Sequence, residues 1–337
     1  MAPDAIFRIY SMSKPIASVA LLMLMEEGRL TLDDPVARYL PEFAGMQVWA
    51  GDAVAGQQRR APIRALTLRH LLTHTAGFAT RDGDAARPLL DAAAPSEATT
   101  LQAFARRIAG VPLAADPGTR FAYDGVNTEV MGRVIEVVAG EPFDRFLQRR
   151  IFTPLGMKDT GFSVPAAQRH RIAALSAVGP GGTLVQAPGR SSLTPGEPLN
   201  DYPSGAGGLY ATAADYLRFA RMLLGDGTLD GQRLLARKTV DMMRMDQLAH
   251  LAPIGGLSAG EGFGLGVAVV TDPARRGRLA SAGAYGWSGA ATTHFTIDPQ
   301  EQLIAILLMQ HLPRDGAPGE LPKPGVKFHN LVYQALD

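Results

Sequence analysis

The chain contains no cysteine. That excludes disulfides, thiol nucleophiles and zinc–thiolate sites together, and it leaves the compartment open. Lysine is scarce too: of 33 Lys+Arg residues only five are lysine, Lys14, Lys158, Lys238, Lys323 and Lys327. No stretch reaches the roughly 18 apolar residues of a membrane span. The longest run, 16–25, is broken by one serine and stops short of that length. MAPDAIFRIY at the start has neither the basic nor the apolar region of a secretory signal, so a cytoplasmic protein is the default. An excess of one charge is also missing. Net charge is +1 with the basic residues scattered, which gives nucleic acid no support as a partner.

What is present can build a large core. With 337 residues, 46% hydrophobic and 19% charged, the chain suits two packed units or one elaborated domain. Residues 15–27 read as a buried helix, with Pro15 in its first turn and Gly28 as its stop. A Pro-punctuated segment and a polar loop follow to residue 60. From 66 to about 250 helical signals dominate, as in LTLRHLLTH, TTLQAFARRIAG, NTEVMGRVIEVVAG, FDRFLQRRIF, TAADYLRFARMLLGDG and LARKTVDMMRMDQL. The Gly-, Pro- and Ala-rich interruptions at 80–97 and 163–207 look like surface or lid loops. From 262, GFGLGVAVV, RLASAGAYGW, ATTHFTIDP and QLIAILLMQ read as an antiparallel meander, ahead of a helix at about 324–336. No internal repeat is evident.

Ser11 and Lys14 carry the first chemical signal. At i and i+3 on a helix, the amine reaches the hydroxyl. A serine hydroxyl is a poor nucleophile until a neighbour takes its proton. Lysine can do so where a partly apolar site and a helix N-terminus favour its free amine, whereas arginine stays protonated. This is the one Ser-x-x-Lys in the chain and it opens a buried helix. The plainer alternative is a capping serine beside a solvated lysine. Such a site also requires a second proton carrier and an oxyanion hole. PGTRFAYDGVNTEVMGRVIE offers Tyr123 before an amphipathic helix; taken alone, Tyr123 is a packing residue. GWSGA at 286–290 has small residues that let a substrate carbonyl approach the backbone, or it is a tight turn around a core tryptophan.

Three other patterns carry less. His70 and His74 have the spacing of a zinc helix, but the intervening LLT lacks the glutamate and no third ligand is evident, so a structural pair is the better account. GWSGA fails the G-x-S-x-G nucleophile elbow at its last position, and the parallel β/α alternation is absent. GFGLG at 262–266 starts a strand rather than following one, which is the wrong context for a nucleotide loop.

Taken together and in order, several segments resemble the serine β-lactamase-like superfamily, most nearly class C β-lactamases and family VIII carboxylesterases. They are FRIYSMSKPIASVALLMLMEEGRLTLDDPVARYLPEF, LTLRHLLTHTAGF, PGTRFAYDGVNTEVMGRVIE, IFTPLGMKDTGF, SGAGGLYATAADYLRFARMLL and GWSGAATTHFTIDP. The resemblance covers nearly the whole chain. It implies an α+β fold, an antiparallel sheet flanked by helices plus a mostly helical region, with 1–60 and 250–337 in the sheet part and 61–249 in the helical part. It implies Ser11 as the acylated nucleophile, Lys14 as its activating neighbour and Tyr123 as the proton relay. The backbone N–H groups of Ser11 and Ala290 would form the oxyanion hole, with no metal or cofactor.

Departures from the pattern narrow the substrate. The family's Tyr-x-Asn is Tyr123-Asp124-Gly125 here, so the amide that holds a β-lactam side chain is missing at Gly125. Its Lys-Thr-Gly is Trp287-Ser288-Gly289, a substrate-binding triplet without a cation. Losing one charge-assisted contact to the β-lactam carboxylate costs about 1.5–3 kcal/mol. The expectation is therefore a small-molecule carboxylic ester as substrate and a short-chain esterase as function. β-Lactamase or D-amino-acid peptidase activity is the alternative within the superfamily. A penicillin-binding-like protein that acylates slowly or not at all is the alternative outside enzymology. Relatives carry more residues before the serine helix than the ten found here. Either sheet strands and a signal for periplasm or secretion lie upstream, or the sheet has an exposed edge that favours a homodimer or aggregation.

Overall fold

A computed structural model describes residues 1–50, 59–251, 254–314, 319–320 and 324–336. Most of the polar loop expected before residue 60 lies outside the described residues. The helix at the centre runs Ser13–Glu26 and buries Ser13 through Leu24 without a break. Its sequence is apolar on every side, and a helix of that kind is stable only when surrounded. Glu26 and Glu27 bring the chain back to water, and Gly28, at φ +70°, turns it away.

The helix Val126–Ala139 packs against this central helix, and the helices Leu68–Leu72 and Leu101–Ala109 pack on it in turn. The six helical signals read between 66 and 250 all form helices.

The meander forms as a five-stranded antiparallel sheet in the spatial order Leu303–Leu308, Thr293–Asp298, Tyr285–Gly289, Ala268–Val270, Glu261–Phe263. GFGLGVAVV supplies two of these strands rather than one. Gly266, at φ +86°, makes the reversal, and a Cβ there would lie 2.0 Å from the Ser18 hydroxyl on the central helix. Strand alternation assigns the two faces. Phe295 points inward onto Tyr216 of the helix Ala213–Leu224. His294 and Asp298 point outward to the C-terminal helix Pro324–Gln334, where His329 faces His294 and Tyr333 donates to Asp298 at 2.7 Å. Helices thus cover both sheet faces, giving the α+β architecture. Leu303–Leu308 is an edge strand with no further partner among the described residues.

The segment 163–207 is more ordered than a loop. Ser176–Val178 pairs parallel with His311–Leu312 and antiparallel with Leu184–Gln186. Ile6–Arg8 pairs with Tyr210–Thr212, so the chain leading to Ser11 is clamped from the middle of the sequence. Arg8 fastens that junction from inside. It is 1% exposed, and its guanidinium donates to the carbonyls of Ser191 at 2.7 Å and Ala173 at 3.0 Å. Among the described residues no helix is long and apolar enough to cross a membrane.

Candidate active site

A single tight helical turn, Tyr10–Met12, carries Ser11 into the mouth of the central helix. Tyr10 has φ +44°, a left-handed backbone rare outside glycine, and its hydroxyl bonds that of Ser191 at 3.2 Å. Lys14 lies one turn further on and is 4% exposed. Its Nζ donates to Ser11 Oγ at 3.1 Å and to the Ala206 carbonyl at 2.7 Å. Nζ also stands 4.9 Å from the centre of the Tyr123 ring, the geometry of a cation–π contact.

Tyr123 is 39% exposed and fixed by its neighbours. Its ring packs 4.8 Å from the rings of both His74 and Trp287, and Trp287 Nε1 donates to its hydroxyl at 3.1 Å. His74 is buried in an aromatic cage with Phe121 and Phe263. Burial first, and the Lys14 charge second, push its pKa well below the ordinary value and keep it neutral. His70 and His74 do not form a metal face. The helix ends at Leu72, His74 has φ +52°, and His70 instead accepts the Thr67 N–H at 3.1 Å.

Asp124 lines the same cleft as Ser11, but its carboxylate is tied to the helix that follows it and to Thr80. Its carboxylate accepts from the Asn127 N–H at 3.0 Å, from Asn127 Nδ2 at 2.8 Å and from Thr80 Oγ1 at 2.9 Å, binding the start of the Val126–Ala139 helix. Burial pushes its pKa up against those bonds.

Ser11, Lys14, Tyr123, Gly125 and Ala290 line one cleft of about 590 Å³. Glu129, Ser204, Ala206 and Gly207 line it as well, and sequence reasoning missed all four. SGAGG was visible as a family segment, but nothing local announces that it folds over Lys14. Gly289 is required where the sheet meets the nucleophile turn, since a Cβ would lie 2.3 Å from the Ile9 carbonyl oxygen.

None of the triplet Trp287-Ser288-Gly289 lines that cleft; all three border a separate cavity of about 400 Å³ toward the C-terminal helix. Trp287 pairs across the sheet with Phe295 and Ser288 with His294, so successive side chains take opposite faces. Ser288 Oγ therefore bonds His294 Nδ1 at 2.7 Å on the face turned toward the C-terminal helix. Trp287→Phe should leave the ring packing and remove only the N–H donor to Tyr123. About 1 kcal/mol is lost with such a bond, so kcat/KM should fall about fivefold with little change in melting temperature.

Fold and cleft together define the β-lactamase and transpeptidase-like class, in which a helix-borne serine opens between a sheet and helices. A family model described as Beta-lactamase matches residues 1–322, and the chain belongs to that family. It is 36% identical to Protein Rv1367c of Mycobacterium tuberculosis, over 100% of this chain and 88% of the relative. It is 30% identical to Esterase EstB of Burkholderia gladioli, over 99% of this chain and 83% of that one. Among solved structures, EstCE1, described as a hydrolase with promiscuous acyltransferase activity, matches with TM-score 0.78 at 26% identity, covering 99% and 86% of the two chains. Simvastatin synthase LovD of Aspergillus terreus shares the fold, with TM-score 0.79 at 24% identity over 100% and 86%. The protein is a serine hydrolase of the β-lactamase superfamily.

Proposed function

We propose that this hydrolase cleaves short-chain carboxylic esters through an acyl-Ser11 intermediate. Lys14 takes the proton as Ser11 Oγ attacks the ester carbonyl. The backbone N–H groups of Ser11 and Ala290 receive the oxyanion. Tyr123 passes a proton to the departing alkoxide and then activates the water that releases the acid. The cleft sits between the sheet region, 1–60 with 250–337, and the mostly helical region 61–249.

One observation carries the choice of ester over β-lactam. The group that donates to the Tyr123 hydroxyl is the neutral indole of Trp287 at 3.1 Å, where the resemblance places a lysine in β-lactamases. A neutral donor supports the tyrosine without supplying the cation that a β-lactam carboxylate would seek. Relatives named as esterases, EstB and the lovastatin esterase of Penicillium rubens, support the same reading.

A panel of p-nitrophenyl esters of increasing acyl length, run beside nitrocefin, tests it. Acetate or butyrate esters should turn over with kcat/KM at least about a hundredfold above nitrocefin, the equivalent of one or two charge-assisted contacts. Nitrocefin turnover equal to ester turnover would instead favour the β-lactamase reading. A stable acyl adduct without turnover would favour the penicillin-binding one.

A further inference from the structure

Glu129 is a buried carboxylic acid inside the cleft that the mechanism above does not use. It projects from the helix Val126–Ala139 and is 4% exposed. One carboxyl oxygen bonds the Ser204 hydroxyl and the other accepts the Gly205 N–H at 3.1 Å. The next residue, Ala206, presents the carbonyl that holds Lys14 Nζ at 2.7 Å. Glu129, the 204–206 turn and Lys14 therefore form one connected unit. Burial raises the Glu129 pKa to about 7, against the bond from Ser204 and the charge of Lys14. Lys14 faces it from the central helix and Tyr202 from the segment before Ser204. Asp124 and His74 also feel the Lys14 charge.

We propose that Glu129 is a positioning residue for the acylation step: it braces the Ser204–Ala206 turn that holds Lys14, and its charge governs how readily Lys14 leaves the ammonium form. Ionised, Glu129 stabilises the ammonium, which cannot take a proton from Ser11. Protonated, it keeps the brace and removes that restraint. The proposal rests on Ser11 being the nucleophile.

The rate at which a fluorophosphonate labels Ser11, followed by intact mass from about pH 5 to about pH 10, reads this without a natural substrate. In that reaction the Ser11 Oγ–P bond forms, fluoride leaves from phosphorus, and Lys14 takes the serine proton. Glu129→Gln should move the ascending limb of the rate about one unit toward lower pH, because the amide carries no charge at any pH. Ser204→Ala should move it the same way by less, since a carboxylate that loses a donor holds its proton more tightly. If both variants lose rate or thermal stability while the limb stays at the wild-type position, Glu129 is only structural and the proposal fails. Wild-type protein that is not labelled at Ser11 overturns the nucleophile assignment and the proposal together. Labelled wild type with unmoved limbs overturns the proposal alone.

Discussion

Ser11→Ala is expected to lower kcat/KM toward a short-chain ester by at least about a thousandfold, because the acyl intermediate has no oxygen on which to form. Stability should barely change. The hydroxyl is partly exposed at the cleft and, among the described residues, receives a single bond, from Lys14 Nζ at 3.1 Å. Losing one such bond costs about 1 kcal/mol, a shift of roughly 1–2 °C in melting temperature for a chain of this size. Ester kinetics with a thermal melt, and intact mass after a burst of substrate, check both halves. A variant that keeps wild-type turnover places the nucleophile elsewhere.

Lys14→Arg is the second large effect. The positive charge remains and the proton acceptor is lost, since arginine stays protonated at any working pH. General base catalysis contributes about 10²–10⁴ in rate, and a fall of that size is expected. The pocket sharpens the outcome: Lys14 is nearly sealed between the Ala206 carbonyl and the Tyr123 ring. A melt on the same sample shows whether the bulkier side chain disturbs the packing. If a folded arginine variant retains turnover within about tenfold, Lys14 acts as a fixed cation and not as a base.

The elements that were legible in the sequence are those whose cause is local. The helix Ser13–Glu26 announces itself by apolar residues on every side and a stop at Gly28, and it forms there. The Ser11–Lys14 contact follows from three residues of separation on one turn, and the bond is present at 3.1 Å. The meander was visible as β-rich runs parted by turns, and its strands lie in sequence order. The 163–207 segment was not legible as strand. Its partners, His311–Leu312 and its own hairpin, are distant or short, and a three-residue strand carries almost no alternation signal.

By itself the sequence determined the buried serine helix, the α+β order of elements, and a rare lysine set three residues after a serine. Local backbone geometry suffices for each of these. Tertiary structure alone decided which side chains share the cleft. Trp287 and Ser288 are neighbours in the chain, yet one bonds Tyr123 and the other bonds His294 on the far face, because strand pairing sets which face is buried. Glu129 and Ala206 are far apart in sequence and meet around Lys14 only when two helices and a turn close over it. A motif can name the nucleophile; its charge environment comes from residues that only packing brings together.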